Sequence, residues 1–224
     1  MGNRYINTSI GRKFLMALSA IFLMIFLLQH LAINLLSVLS PSLFNSVSHF
    51  MGTNPLVQFA LQPVLIAAVL FHFIMGFVLE IKNKQARGGV DYAFNKSTKN
   101  SNWFSRNMIY SGATILAFLA LHFIDFWFPE IVYKYVANYP ADAHRYHEEL
   151  VHKFQSPLRV GAYVIAFVLL AFHLLHGFQS AFQSVGARHP KYQNTVVKAG
   201  KVYGIAVPAG FIFIAVYHHL NSLS

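Results

Sequence analysis

The sequence predicts an all-α integral membrane bundle of five transmembrane helices, and three observations carry that prediction. Of 224 residues, 56% are hydrophobic and only 11% charged, about half the charge of an ordinary globular domain. The apolar residues gather into five stretches of about 20 residues or more, the length a helix needs to cross a bilayer core of ~30 Å. Most Lys and Arg residues lie between those stretches rather than within them.

The stretches cover residues 14–39, 56–81, 107–128, 158–182 and 202–220, and the chain reads as one transmembrane domain over 1–224. The first follows Arg12 and Lys13 and has no small-residue cleavage pattern, so it reads as a retained span rather than a leader. The N-terminal tail and the second and fourth loops together hold 13 of the 17 Lys and Arg. The first loop, 40–55, holds none, and the third offsets Lys134, Arg145 and Lys153 with Glu130, Asp142, Glu148 and Glu149. The positive-inside rule therefore puts the N-terminus in the cytoplasm and the C-terminus outside, opposite ends as an odd number of spans requires. The net charge of +10 is then loop charge that sets topology, not a footprint for nucleic acid. Mixed polar and apolar residues at helical spacing predict outer surface helices over 41–50 and 141–154. Trp103 and Trp127 fall near span ends, where indoles favour the interface.

There is no cysteine, which excludes disulfides, iron–sulfur ligation and covalent haem attachment. A metal here is held by other donors, and His is abundant, with 12 residues.

An internal repeat selects four of them. The first span reads Ser19–Ala20, nine residues, His30; the third reads Ser111–Gly112, nine residues, His122. The second has Phe71–His72 and Gly76; the fourth has Phe172–His173 and Gly177. One helical hairpin thus resembles the next, with one His per span. Each His lies about 15–16 residues, roughly 22–24 Å, past the start of its span. Because successive spans reverse direction, His30 and His122 share an outer layer and His72 and His173 an inner one. The layers are on the order of 15–20 Å apart. Two imidazoles at one depth on facing helices suit the two axial positions of one iron, so the pattern points to two bis-His haems b stacked across the membrane.

The small residues support this placement. Gly76 and Gly177 follow their His by four and share its helix face, which lets a macrocycle lie near the backbone. Ser19 and Ser111 precede their His by eleven, about three turns, and reach the depth of the opposite layer, where they can bond a propionate or a ligand His. His176, one turn from His173, competes for the ligand role or contacts a propionate; the repeat favours His173. His144, His147, His152 and His189 fall in loops, and His218 and His219 at the end of the fifth span, where they read as solvated or interfacial.

At these positions the sequence resembles the cytochrome b anchor subunit of succinate:quinone oxidoreductases, the succinate dehydrogenase and fumarate reductase family. The likeness is to the single-polypeptide, five-helix, two-haem type. The matching elements are Gln29–His30–Leu31, Phe71–His72 with Gly76, Ser111–Gly112 with His122, Phe172–His173 with Gly177, and His49–Phe50–Met51. The resemblance implies a complex in the bacterial cytoplasmic membrane, serving electron transport and the tricarboxylic acid cycle. A flavoprotein with FAD interconverts succinate and fumarate, an iron–sulfur subunit relays electrons, and this chain anchors both and exchanges electrons with a quinone, usually menaquinone. No succinate or fumarate chemistry falls on this chain. The resemblance also implies that His30 and His122 hold the distal haem iron and His72 and His173 the proximal one. It puts the quinone on the distal side, where Gln29, Asn34, His49 and Gln62 are the polar candidates.

One departure stands out. Some family members carry a Glu two residues before the fourth ligand, implicated in proton transfer, and here that position is Ala171. The basic second loop, 82–106, with Lys96 and Lys99, is a candidate dock for the iron–sulfur subunit. Two other classes fit parts of the pattern: a dihaem anchor of a nitrate reductase, hydrogenase or formate dehydrogenase, and a non-redox membrane protein with buried His. The first need not place one ligand in each of spans one to four; the second predicts a colourless protein.

Overall fold

The computed structural model describes residues 8–87, 108–187 and 189–223. It is all-helical among the described residues, with five helices long and apolar enough to cross a membrane. We number the elements α1 (Ser9–Leu39), α2 (Pro41–Thr53), α3 (Gln62–Arg87), α4 (Met108–His122), α5 (Phe128–Ile131), α6 (Arg145–Phe154), α7 (Pro157–Ser184) and α8 (Pro190–Asn221). A π-helical turn, Val57–Leu61, leads into α3, and two more, Phe123–Trp127 and Val132–Val136, flank α5 so that the third span runs unbroken over Met108–Val136.

The helix starts are written locally. Thr8 caps α1, its Oγ1 accepting from Gly11 N at 3.0 Å. Ser40–Pro41 and Ser156–Pro157 pair a hydroxyl cap with a proline at the first helical position, where its missing N–H costs nothing. Asn54 Oδ1 accepts from Leu56 N at 2.9 Å and opens the second span. At the other end of α7, Gly186 takes φ +82 and lets Ala187 N bond Phe182 O at 3.0 Å, closing the helix.

All five helices run past their predicted stretches, the third and fifth the furthest. The third passes residue 128 and continues to Val136, because Pro129 falls where α5 begins and the π-turns absorb it. Trp127 is therefore inside the span rather than at its end. The fifth helix starts at Pro190, twelve residues before its apolar stretch, so Lys191, Lys198 and Lys201 sit on a helix and not in a loop. Both expected surface helices are present: α2 extends to Thr53, and α6 begins at Arg145 because Asp142 Oδ1 holds a turn through His144 N at 2.7 Å. Asn45 ties them together, giving Nδ2 to His144 O and accepting from His147 N at 2.7 Å. Most of the basic second loop, with Lys96, Lys99, Trp103 and Arg106, lies outside the described residues, as do Arg4 and Arg188.

The core is asymmetric. Spans one, four and five interlock through Leu31, Val160, Phe167, Val207, Phe211 and Ala215. Small residues on α8 permit the close approach: a Cβ on Gly204 would stand 3.0 Å from Leu175 N, and one on Gly210 2.9 Å from Leu31 Cδ1. Tyr203 on α8 adds a bond to Met24 O of α1 at 2.6 Å. The second and third spans bury almost nothing within the protein and present their apolar faces outward, as lipid-facing helices do.

Candidate functional site: two facing histidine pairs

The four histidines picked out by the repeat meet in two pairs. His30 on α1 faces His122 at the end of α4, ring centroids 5.9 Å apart and planes at 88°. His72 on α3 faces His173 on α7, centroids 6.3 Å apart at 64°. Each pair joins one helix of the first hairpin to one of the second. The layer spacing follows from the serines. Ser19 lies eleven residues from His30 on α1 and touches His72, so the layers are separated by about 16 Å of helix rise.

The surroundings of the two pairs differ. Aromatic rings enclose the first: Phe26 stacks on His30 at 5.4 Å and Phe211 lies 5.7 Å away, while Phe118, Phe126 and Tyr163 surround His122. Asn34 Nδ2 gives one proton to His30 O at 2.8 Å and lies 3.5 Å from the His30 ring nitrogens. Hydroxyls hold the second pair: Ser19 Oγ lies 3.1 Å from His72 Nδ1, and Ser111 Oγ 3.2 Å from His173 Nδ1.

The glycines sit beside the second pair. A Cβ on Gly112 would come 3.8 Å from His173 Cε1, and those on Gly76 and Gly177 would meet only the ends of Met16 and Met108, at 3.6 and 3.4 Å. These methionines precede Ser19 and Ser111 by three residues each, so the repeat is longer than the serine–histidine pattern alone reveals. His176 is half-buried beside His173 and makes no ring contact among the described residues.

This arrangement fits a haem. An iron bonded to two imidazoles at about 2 Å each sets their ring centroids roughly 6 Å apart, the spacing of both pairs. All four rings are half-buried rather than closed over by side chains, and flexible methionine ends alone cover the glycines that flank the second pair.

Among the described residues, no hydrogen bond joins the polar residues proposed for a quinone to one another. Asn34 turns to His30, Gln29 is exposed on α1, and Gln62 is half-buried. His49 lines a separate cleft of about 240 Å³ with Gln58, Tyr133, Lys134, Arg145 and Tyr146. Ion pairs organise the wall of that cleft. Lys134 reaches Glu130 at 2.5 Å, and Arg145 bridges Glu130 and Glu149 while stacking on Tyr133. Burial works to lower the Arg145 pKa, yet the hydrogen bonds it donates to Glu130 and Glu149, with their charges, outweigh it and hold the guanidinium well above its ordinary value. Burial, with the nearby Glu130 charge, pushes the Tyr146 hydroxyl up.

Three polar groups were missed or misplaced by sequence reasoning. Asp125, 2% exposed, sits in the third span three residues past His122. It accepts from Tyr163 OH at 2.9 Å and pairs with Arg159 Nη2 at 3.2 Å. The signal was available, since a carboxylate inside an apolar span is costly and calls for a partner. His218 is not interfacial but 3% exposed, bonded to Ser37 Oγ at 2.8 Å and packed against His147 at 5.6 Å. His147 in turn is not a solvated loop residue: its Nε2 reaches Ser37 O at 3.1 Å and helps satisfy the last carbonyls of α1.

Fold and site together define a multi-pass membrane bundle with paired histidines bridging its two hairpins, the class in which cofactors are held between facing helices. The chain is similar to the succinate dehydrogenase cytochrome b558 subunit of Bacillus subtilis (strain 168), 26% identical over 157 residues, which cover 70% of this chain and 69% of that protein. That likeness bears out the resemblance to the succinate dehydrogenase cytochrome b anchor. No family model matches the chain, and no solved structure matches it significantly.

Proposed function

We propose that this chain is the dihaem cytochrome b anchor of a bacterial succinate:quinone oxidoreductase. The observation that carries the reading is the pairing of four histidines, one from each of the first four spans, into two facing couples at metal-bridging distance. When bound, two haems b supply one-electron carriers at two depths. The chain's own residues do the rest. His72 and His173 hold the carrier nearer the cytoplasm, where the iron–sulfur subunit delivers electrons from the flavoprotein with its FAD. His30 and His122 hold the carrier nearer the outer face. The aromatic rings of Phe26, Phe118, Phe211 and Tyr163 line its apolar surroundings.

A quinone, menaquinone by analogy with the family, takes the electrons on the outer side. Asn34 is the candidate nearest a haem ligand, and His49 the one that lines a cleft. The cytoplasmic basic loop with Lys96 and Lys99 serves as the dock for the iron–sulfur subunit, and succinate chemistry stays on the flavoprotein.

Redox titration of the membranes tests the reading. We expect a b-type α-band resolving into two one-electron components, in a preparation that co-purifies with a flavoprotein and an iron–sulfur subunit. A colourless protein overturns it, and a single component overturns the two-haem form.

A further inference from the structure

We infer that Ser19 and Ser111 are positioning residues that hold His72 and His173 in the tautomer an iron requires; the inference rests on the dihaem reading above. A serine hydroxyl has one proton to give. Ser19 gives it to Met16 O at 2.7 Å, and Ser111 to Met108 O at 2.9 Å, in both cases the carbonyl three residues back. What remains on each oxygen is acceptor capacity, and it faces a ring nitrogen, His72 Nδ1 at 3.1 Å and His173 Nδ1 at 3.2 Å. The proton of each contact therefore sits on Nδ1. In a neutral imidazole that leaves Nε2 bare, as a metal ligand must be.

The arrangement occurs twice, built from the same parts: a methionine carbonyl, a serine three residues later, and a histidine on the next helix of the same hairpin. Self-bonding alone would satisfy a serine inside an apolar helix, so the histidine contact is an addition made in both halves. The His30–His122 pair lacks it. His122 Nδ1 is buried with no hydrogen-bond partner, and the group beside the His30 ring is the amide nitrogen of Asn34, a donor that cannot accept an N–H.

The electronic consequence has a sign. An imidazole whose Nδ1–H is accepted by an oxygen is a stronger donor to its metal and stabilises the more positive, ferric state. Removing the oxygen raises the midpoint potential of the haem held by His72 and His173 and leaves the other where it was.

The test is a redox titration, with low-temperature electron paramagnetic resonance, of the intact complex carrying Ser19→Ala, Ser111→Ala or both. The inference expects an upward shift of one component, with a changed ferric signal for that haem alone, in each single variant and more in the double. A tenfold loss of preference for ferric over ferrous iron is about 59 mV for one electron, the order of shift expected. Ser19→Thr and Ser111→Thr, which keep the hydroxyl, restore the wild-type potential. If an alanine variant loses a haem outright, loss of that one haem with recovery in the threonine variant supports the inference. Two wild-type components that both stay unmoved in the double variant overturn the serine role and leave the dihaem reading intact. Equal shifts of both haems also overturn it, because they report a loosened bundle. Absence of haem from the wild-type complex sinks the parent reading and the inference together.

Discussion

The His30–His122 pair and the His72–His173 pair use the same side chains, span the same pair of hairpins and have nearly the same ring spacing, yet their rings are held by different forces. Around the first, orientation comes from packing: rings stack on rings, and Asp125, three residues past His122, is engaged with Arg159 and Tyr163. Around the second, orientation comes from two hydrogen bonds of defined polarity, and the adjacent residues are small. The contrast follows the asymmetry of the bundle. The first pair borders the tight core of spans one, four and five, which has aromatic surface to spend on it. His72 stands on the lightly packed second span, and the Ser19 hydroxyl provides its ring with a directional contact.

The comparison breaks most plainly at the histidines. His30→Ala and His122→Ala are each expected to abolish the same haem component, and His72→Ala and His173→Ala the other, in reduced-minus-oxidised spectra of membranes. Loss that follows hairpins instead of facing pairs would refute the pairing. His176→Ala should leave both components present; if it removes one while His173→Ala does not, the ligand of the fourth span is His176.

A smaller effect is expected from the buried carboxylate. Asp125→Ala strands Arg159 and leaves the Tyr163 hydroxyl unpaired, which costs about 2–3 kcal/mol after allowing for the partial exposure of Arg159. Thermal unfolding of the detergent-solubilised complex should begin at lower temperature, with the His30–His122 haem released before the other. Simultaneous release of both haems would show that the aromatic layer is not separately supported. Tyr163→Phe is milder still. It keeps the ring against His122 and removes one hydrogen bond to Asp125, for a loss of about 1 kcal/mol in the same melt and no change in either haem potential.

Much of this was legible in the chain. Apolar length located all five spans, because a bilayer crossing imposes a length no other element shares. The spacing of serine, histidine and glycine placed the four histidines at two depths, because rise per residue converts sequence distance into axial distance. The span limits were less legible: Pro129 and Pro190 look like breakers, but π-helical turns absorb the first and the second opens α8. The quinone candidates Gln29, Asn34, His49 and Gln62 were chosen by depth, and depth alone cannot tell helix faces apart.

The sequence by itself determined the class of protein, the number of spans and the two levels at which histidines occur, because these depend on periodicity along single helices. Only the tertiary structure decided who touches whom around the axis. It brought Ser19 to His72 and Ser111 to His173, set Asp125 against Arg159 and Tyr163, and buried His218 beside Ser37. Those contacts depend on how each helix is rotated against its neighbours, a choice made collectively by the small residues of α8, the aromatic cluster and the polar groups that must find partners away from water.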